Sequence, residues 1–161
     1  MAKTNTNKSA KDAFEKLRKK SVSACSETEQ NKRIYITVGT ATCGRAAGAL
    51  ETLQVFKSEI AKSNFDATVT EVGCRGYCYA EPLVVISNPG HPPICYGYVT
   101  PGVAEHLVSD FILGDDPCLE FALGALEENA EIPTILDQPR FKYEMRNLLH
   151  NCGEIDPDNI D

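Results

Sequence analysis

Residues 33–60, RIYITVGTATCGRAAGALETLQVFKSEI, constrain the fold more tightly than any other part of this chain. RIYITVG (33–39) is dense in β-branched and aromatic side chains and closes on glycine, the pattern of a buried strand. From Gly44 to about Lys62, the residues Ala46, Ala49, Leu50, Leu53, Phe56 and Ile60 recur on one face of a helix, which suits packing against a sheet. A second strand follows at 66–72, DATVTEV. Two strands joined by one such helix pair in parallel through a right-handed crossover, so both end at the same pole of the sheet.

Downstream, PLVVIS (82–87) and ICYGYV (94–99) read as third and fourth strands, and the tight connection NPGHPP makes them a hairpin. TPGVAEHLVSDFIL then offers Thr100 as N-cap and Pro101 at the first helical position, with Val103, Ala104, Leu107, Val108 and Phe111 along one face. The order β-α-β-β-β-α predicts an α/β sandwich. Ahead of it, Ala10, Ala13, Phe14 and Leu17 stand at helical spacing with Ser9 as N-cap, predicting a helix near 10–21. Beyond Gly114 the pattern weakens: 117–130 reads as weakly helical, 131–139 as extended linker and 140–150 as a short helix, before a polar, turn-rich close. The chain, 161 residues in all, therefore divides into a basic helical lead-in and linker (1–32), an α/β domain (33–114) and a C-terminal helical extension (115–161).

The parallel pairing decides which cysteines can meet. Cys43 lies in the turn after the first strand, and Cys74 and Cys78 lie in the loop GCRGYC after the second, so the topology brings three thiols to one rim. They form a candidate metal site. At its helix N-terminus, Cys43 gains support for a thiolate from unpaired N–H groups and the helix dipole. Gly39, Gly44, Gly73 and Gly76 keep side chains away, so backbone amides can approach the sulfurs or a bound cofactor. Cys95 falls near the start of the fourth strand, more than about 10 Å from that rim at roughly 3.3 Å per residue. His91 occupies the opposite pole. Cys25 sits on a lead-in that could reach the site, while Cys95 and Cys118 read as packed thiols.

Other readings of GTATCGRAAG are weaker. Gly39 to Ala46 reproduces the glycine spacing of a phosphate loop, but Arg45 stands where the lysine belongs and Ala46 where the hydroxyl belongs. A redox or nucleophilic Cys43 lacks a C-x-x-C partner, and neither His106 nor His150 is tied to it by sequence. Residues 1–33 hold nine Lys and Arg against four Asp and Glu, leaving seven against nineteen in 34–161. An acidic body argues against nucleic acid as a partner. No apolar run approaches the roughly 18 residues of a membrane span, and an odd count of seven cysteines without an export signal points to a reducing cytoplasm rather than a disulfide framework.

Three stretches, VGTATCGRAAGA, VGCRGYCYAEPLVVI and YGYVTPGVAEHLV, together resemble the thioredoxin-like 2Fe-2S ferredoxin domain at the N-terminus of NADH-binding flavoprotein subunits of bifurcating hydrogenases, formate dehydrogenases and relatives of complex I. The resemblance spans roughly 33–113, and LHNCGEIDPDNID is similar to the segment that introduces the flavin-binding core of those subunits. It implies a 2Fe-2S cluster held by four cysteines, of which Cys43, Cys74 and Cys78 match the second, third and fourth, while Val38 stands at the first. Either an outside cysteine such as Cys25 or another kind of ligand completes the site, or the fold serves as a cluster-free docking module. The resemblance further implies a non-catalytic electron-transfer part working with flavoprotein, NADH-binding, hydrogenase or dehydrogenase subunits. FMN and NADH would bind in a partner or in a domain beyond this sequence.

Overall fold

A computed structural model of the chain describes residues 5–24, 33–63, 65–129 and 131–157. Contacts divide the chain into two units, Met1–Lys32 and Arg33–Asp161. The first contains one helix, α1 (Asn5–Ala24), longer at both ends than the periodicity predicts, so that Ser9 lies inside it rather than capping it. Phe14 and Leu17 of its apolar stripe are exposed. Cys25 lies outside the described residues.

The second unit is built on a five-stranded sheet in the order β2-β1-β3-β4-β5. β1 (Ile34–Gly39) pairs in parallel with β2 (Ala67–Val72), from Ile34 opposite Ala67 to Gly39 opposite Val72. β3 (Val84–Ser87) runs antiparallel to β1 and to β4 (Ile94–Tyr96). The crossover from β1 to β2 is a short helix α2 (Thr42–Ala46), then α3 (Ala49–Ser63). Gly48, with φ of +97°, makes the break between them. After β4, the left-handed turn at Tyr98 (φ 54°) ends the strand earlier than expected. Thr100 then caps α4 (Pro101–His106) by accepting from the Val103 N–H, and the helix continues as a π-helical turn over Leu107–Ile112.

Alternation along the strands sorts the core into two faces. Ile36 and Val38 of β1, Val84 and Ile86 of β3, and Ile94 and Tyr96 of β4 pack with Leu53 and Phe56 of α3 and with Ala104, Leu107 and Phe111. The opposite face carries Leu83, Val85 and Cys95, covered by Tyr77, Ile135 and Phe141. Full burial of each large side chain contributes about 1.5–3 kcal/mol. No described helix is long and apolar enough to cross a membrane.

The segment beyond Gly114 departs from its predicted helices. Its helical content among the described residues is two short 3-10 turns, Leu119–Phe121 and Ile135–Asp137. Between them Ala122–Ala125 forms β5, antiparallel to β4. Two causes override the helical pattern. The free edge of β4 needs backbone partners, and Gly124 adopts φ of +147° where a Cβ would stand 2.7 Å from the Ile135 nitrogen. Residues 140–150 form turns, because only Phe141 finds apolar cover while Tyr143, Met145 and Leu148 remain exposed. No continuous stripe is buried there to hold a helix.

Burial pushes the Cys95 thiol up to about 12, and burial with the neighbouring Asp116, Glu120 and Asp110 carboxylates pushes Cys118 up to about 11. The unfolded chain releases these protons from about pH 8.5 upward. The folded state therefore holds more protons across that window, and stability must fall as pH rises from about 9 towards 12. Urea unfolding at about pH 7.5 and pH 10.5 should show a smaller alkaline loss in Cys95→Val than in the parent chain. Equal losses would show that this thiol does not set the alkaline limit.

Candidate metal centre

Three thiols converge where β1 and β2 end. The sulfurs of Cys43, Cys74 and Cys78 all lie within 4.8 Å of one another, the one such group of cysteine, histidine and acidic ligands among the described residues. Cys74 and Cys78 are 3.3 Å apart. Cys43 and Cys74 are half-buried and Cys78 is exposed, and all six described cysteines are free thiols. Cys95 and Cys118 are buried outside the group, and Cys152 does not join it. His91 instead meets Asp115 at 2.9 Å and stands edge-on to Phe111.

The four glycines singled out in the sequence occupy different positions. Gly76, at φ +93°, donates its N–H to Cys74 Sγ at 3.2 Å. Gly39 and Gly44 form a wall: a Cβ on Gly44 would fall 2.0 Å from the Gly39 carbonyl oxygen, so α2 abuts the end of β1 as only glycine permits. Gly73 is looser, its nearest neighbour being the Gly153 nitrogen at 4.0 Å from an added Cβ. Val38 is completely buried in the main core and supplies no ligand atom.

One residue at the rim escaped the sequence reading. Glu81, 8% exposed, aims its carboxylate at the Gly39–Gly44 wall, and the Cys43 thiol donates to its Oε1 at 3.4 Å. Its Oε2 accepts the Leu83 N–H at 2.8 Å. The Glu-Pro pair after the second cysteine loop was its only signal, visible as a strand boundary rather than as a site.

Burial first, then hydrogen bonds with Cys74 and Cys78 and the nearby Glu81 carboxylate, push the Cys43 thiol up to about 12. This reverses the expected helix-terminal lowering. The helix α2 is five residues long with no side-chain cap, so its dipole is slight beside these effects. Burial also raises Cys74, against lowering by the Gly76 N–H. Such thiols ionise when a cation replaces their protons.

The loop bearing Cys74 and Cys78 is held from outside by the C-terminal segment. Arg75 donates to Glu154 at 2.6 Å and to the Gly153 carbonyl at 3.0 Å. Tyr77 packs at a tilt against Phe141 with ring centroids 4.5 Å apart, and the Arg146 guanidinium lies 4.9 Å over the Tyr77 ring.

Solved structures with this architecture include the thioredoxin-like 2Fe-2S ferredoxin of Aquifex aeolicus, at TM-score 0.52 and 19% identity over 59% of this chain and 94% of that one. A cysteine-to-serine variant of that ferredoxin matches at TM-score 0.50 and 19% identity, over 55% and 96%. The fold is thus that of the thioredoxin-like ferredoxins. Within it, the chain belongs to the family of the NADP-reducing hydrogenase subunit HndB of Solidesulfovibrio fructosivorans, being 34% identical over 89 residues that span 55% of this chain and 71% of that subunit. No protein-family model matches the sequence.

The glycine wall gives a direct test. Gly44→Ala should lower stability by at least about 2 kcal/mol, since the Cβ meets backbone that cannot yield. Gly102→Ala, in α4 with nothing within 4 Å of the added carbon, should be neutral or stabilising. Thermal unfolding of both variants would check this, and comparable Tm values would contradict the close approach.

Proposed function

We propose that this chain is an electron-transfer subunit or domain that carries a 2Fe-2S cluster on Cys43, Cys74 and Cys78 for a hydrogenase-type complex. The observation that carries the reading is the convergence of three thiol sulfurs within 4.8 Å at the common pole of two parallel strands. Membership of the hydrogenase-subunit family supports the setting. Thiolate ligands suit iron–sulfur clusters, zinc and copper(I) and disfavour hard cations, so the donor set fits. When bound, the cluster would accept and release one electron at a time.

The chain's own residues supply the rest. Cys43 on the helix side and the Cys74–Cys78 pair on the loop side would hold the cofactor. The Gly76 N–H, already on the Cys74 sulfur, would stabilise negative charge there. Cys78, on the outside, marks the edge where a donor or acceptor subunit comes close. Flavin and nicotinamide chemistry would belong to other subunits or domains, and a cytoplasmic, reducing setting keeps the thiols available. The lack of a ligand atom at Val38 favours the second reading, a cluster-free docking module of the same complex.

Anaerobic purification or reconstitution decides between them. About two iron and two sulfide per chain, with visible bands that bleach on reduction, are expected. Cys78→Ala should abolish the colour and Cys95→Ala should leave it. A folded, colourless, iron-free parent chain would favour the docking module, and one zinc per chain without sulfide would overturn electron transfer.

A further inference from the structure

We infer that Glu81 is the fourth protein ligand of this centre, its Oε1 standing beside the Cys43 sulfur. The inference rests on the electron-transfer reading above and supplies the donor that Val38 cannot. Sulfur and oxygen donors on one tetrahedral ion, bound at about 2.3 Å and about 2.0 Å, stand about 3.5 Å apart. Cys43 Sγ and Glu81 Oε1 are 3.4 Å apart. The Glu81 carboxylate does not share the mutual 4.8 Å of the three sulfurs. The three sulfurs form one close group, and the carboxylate joins it at Cys43.

The carboxylate is built into place. Gly39 and Gly44 leave room for it: a Cβ at either position would come within 3.4 Å or 3.3 Å of Oε2. The backbone around Glu81 is pinned on both sides, with the Tyr98 N–H on the Ala80 carbonyl at 2.7 Å and the Val99 N–H on the Pro82 carbonyl at 3.1 Å. Leu83 N–H fixes Oε2, which leaves Oε1 turned to the thiol. A metal-bound Cys43 has no hydrogen left to donate. Once the thiol proton is lost, a cation bound by both groups takes its place between the facing sulfur and carboxylate oxygen.

Four chains, the parent, Glu81→Gln, Glu81→Cys and Cys25→Ala, would be reconstituted anaerobically with ferrous iron and sulfide. Circular dichroism would confirm folding, and iron content, chelator-driven loss and electron paramagnetic resonance of the reduced state would be read. Glu81→Gln keeps an oxygen for Leu83 but loses the anionic donor. It should lose its cluster to chelator at least about tenfold faster than the parent. Glu81→Cys should load to the parent's level with a shifted g-tensor and stronger thiolate-to-iron bands, and Cys25→Ala should match the parent. If Glu81→Gln and Glu81→Cys both load with the parent's spectrum and chelator resistance, or if Cys25→Ala alone loses the cluster, the ligand assignment is overturned while electron transfer stands. If the folded parent takes up no iron and sulfide, the electron-transfer reading itself falls.

Discussion

The parallel pairing of β1 with β2 is the constraint on which the rest depends. Its register sets Gly39 beside Val72, and the Thr40 N–H extends the ladder one step onto the Val72 carbonyl at 3.1 Å. Cys43 lies four residues past the first strand end and Cys74 two past the second. Their meeting is a property of strand direction before it is a property of any side chain. Register is fixed by the alternation of Ile34, Ile36 and Val38 towards the helices, since a slip of one residue would turn all three to the other face.

An antiparallel neighbour brings a different part of the chain to the same pole. β3 begins where β1 ends, with Val84 opposite Val38, and the Gly39 N–H donates to the Leu83 carbonyl at 3.0 Å. Residues just ahead of β3 are thereby carried to the thiols, which accounts for Glu81 at Cys43 from 38 positions away. The glycines serve this convergence. Gly44 lets the first turn of α2 touch the strand end, and the space it leaves holds the carboxylate.

The strands and the convergence of Cys43, Cys74 and Cys78 were legible because they follow from strong local patterns and one topological rule. β-branched runs gave β1 to β4, and the Thr100-Pro101 start of α4 was written in its capping chemistry. The C-terminal segment was not legible. ALGA has no β-branched residue, and it becomes β5 through the open edge of β4 and the conformation of Gly124, both of them tertiary facts. The Glu81 carboxylate was hidden for a related reason: a lone acid before proline carries no periodicity, and it is covered by a strand end and helix turn about 40 residues earlier. Helix position alone gives the wrong sign for the Cys43 shift, because it is local whereas burial and the neighbouring acid are not.

The two walls of the centre are held by different physics. On the inner side, Gly39, Gly44 and the backbone flanking Glu81 are fixed by ladder hydrogen bonds and by contacts too close for any side chain. On the outer side, the Cys74–Cys78 loop is held by side chains: Arg75 with Glu154, and Tyr77 between Phe141 and Arg146. The Arg75 side chain is nearly buried, 11% exposed, while the Glu154 side chain is half-exposed. The side of the centre that carries Cys43 and Glu81 is thus set mainly by backbone, and the side that carries Cys74 and Cys78 mainly by side chains.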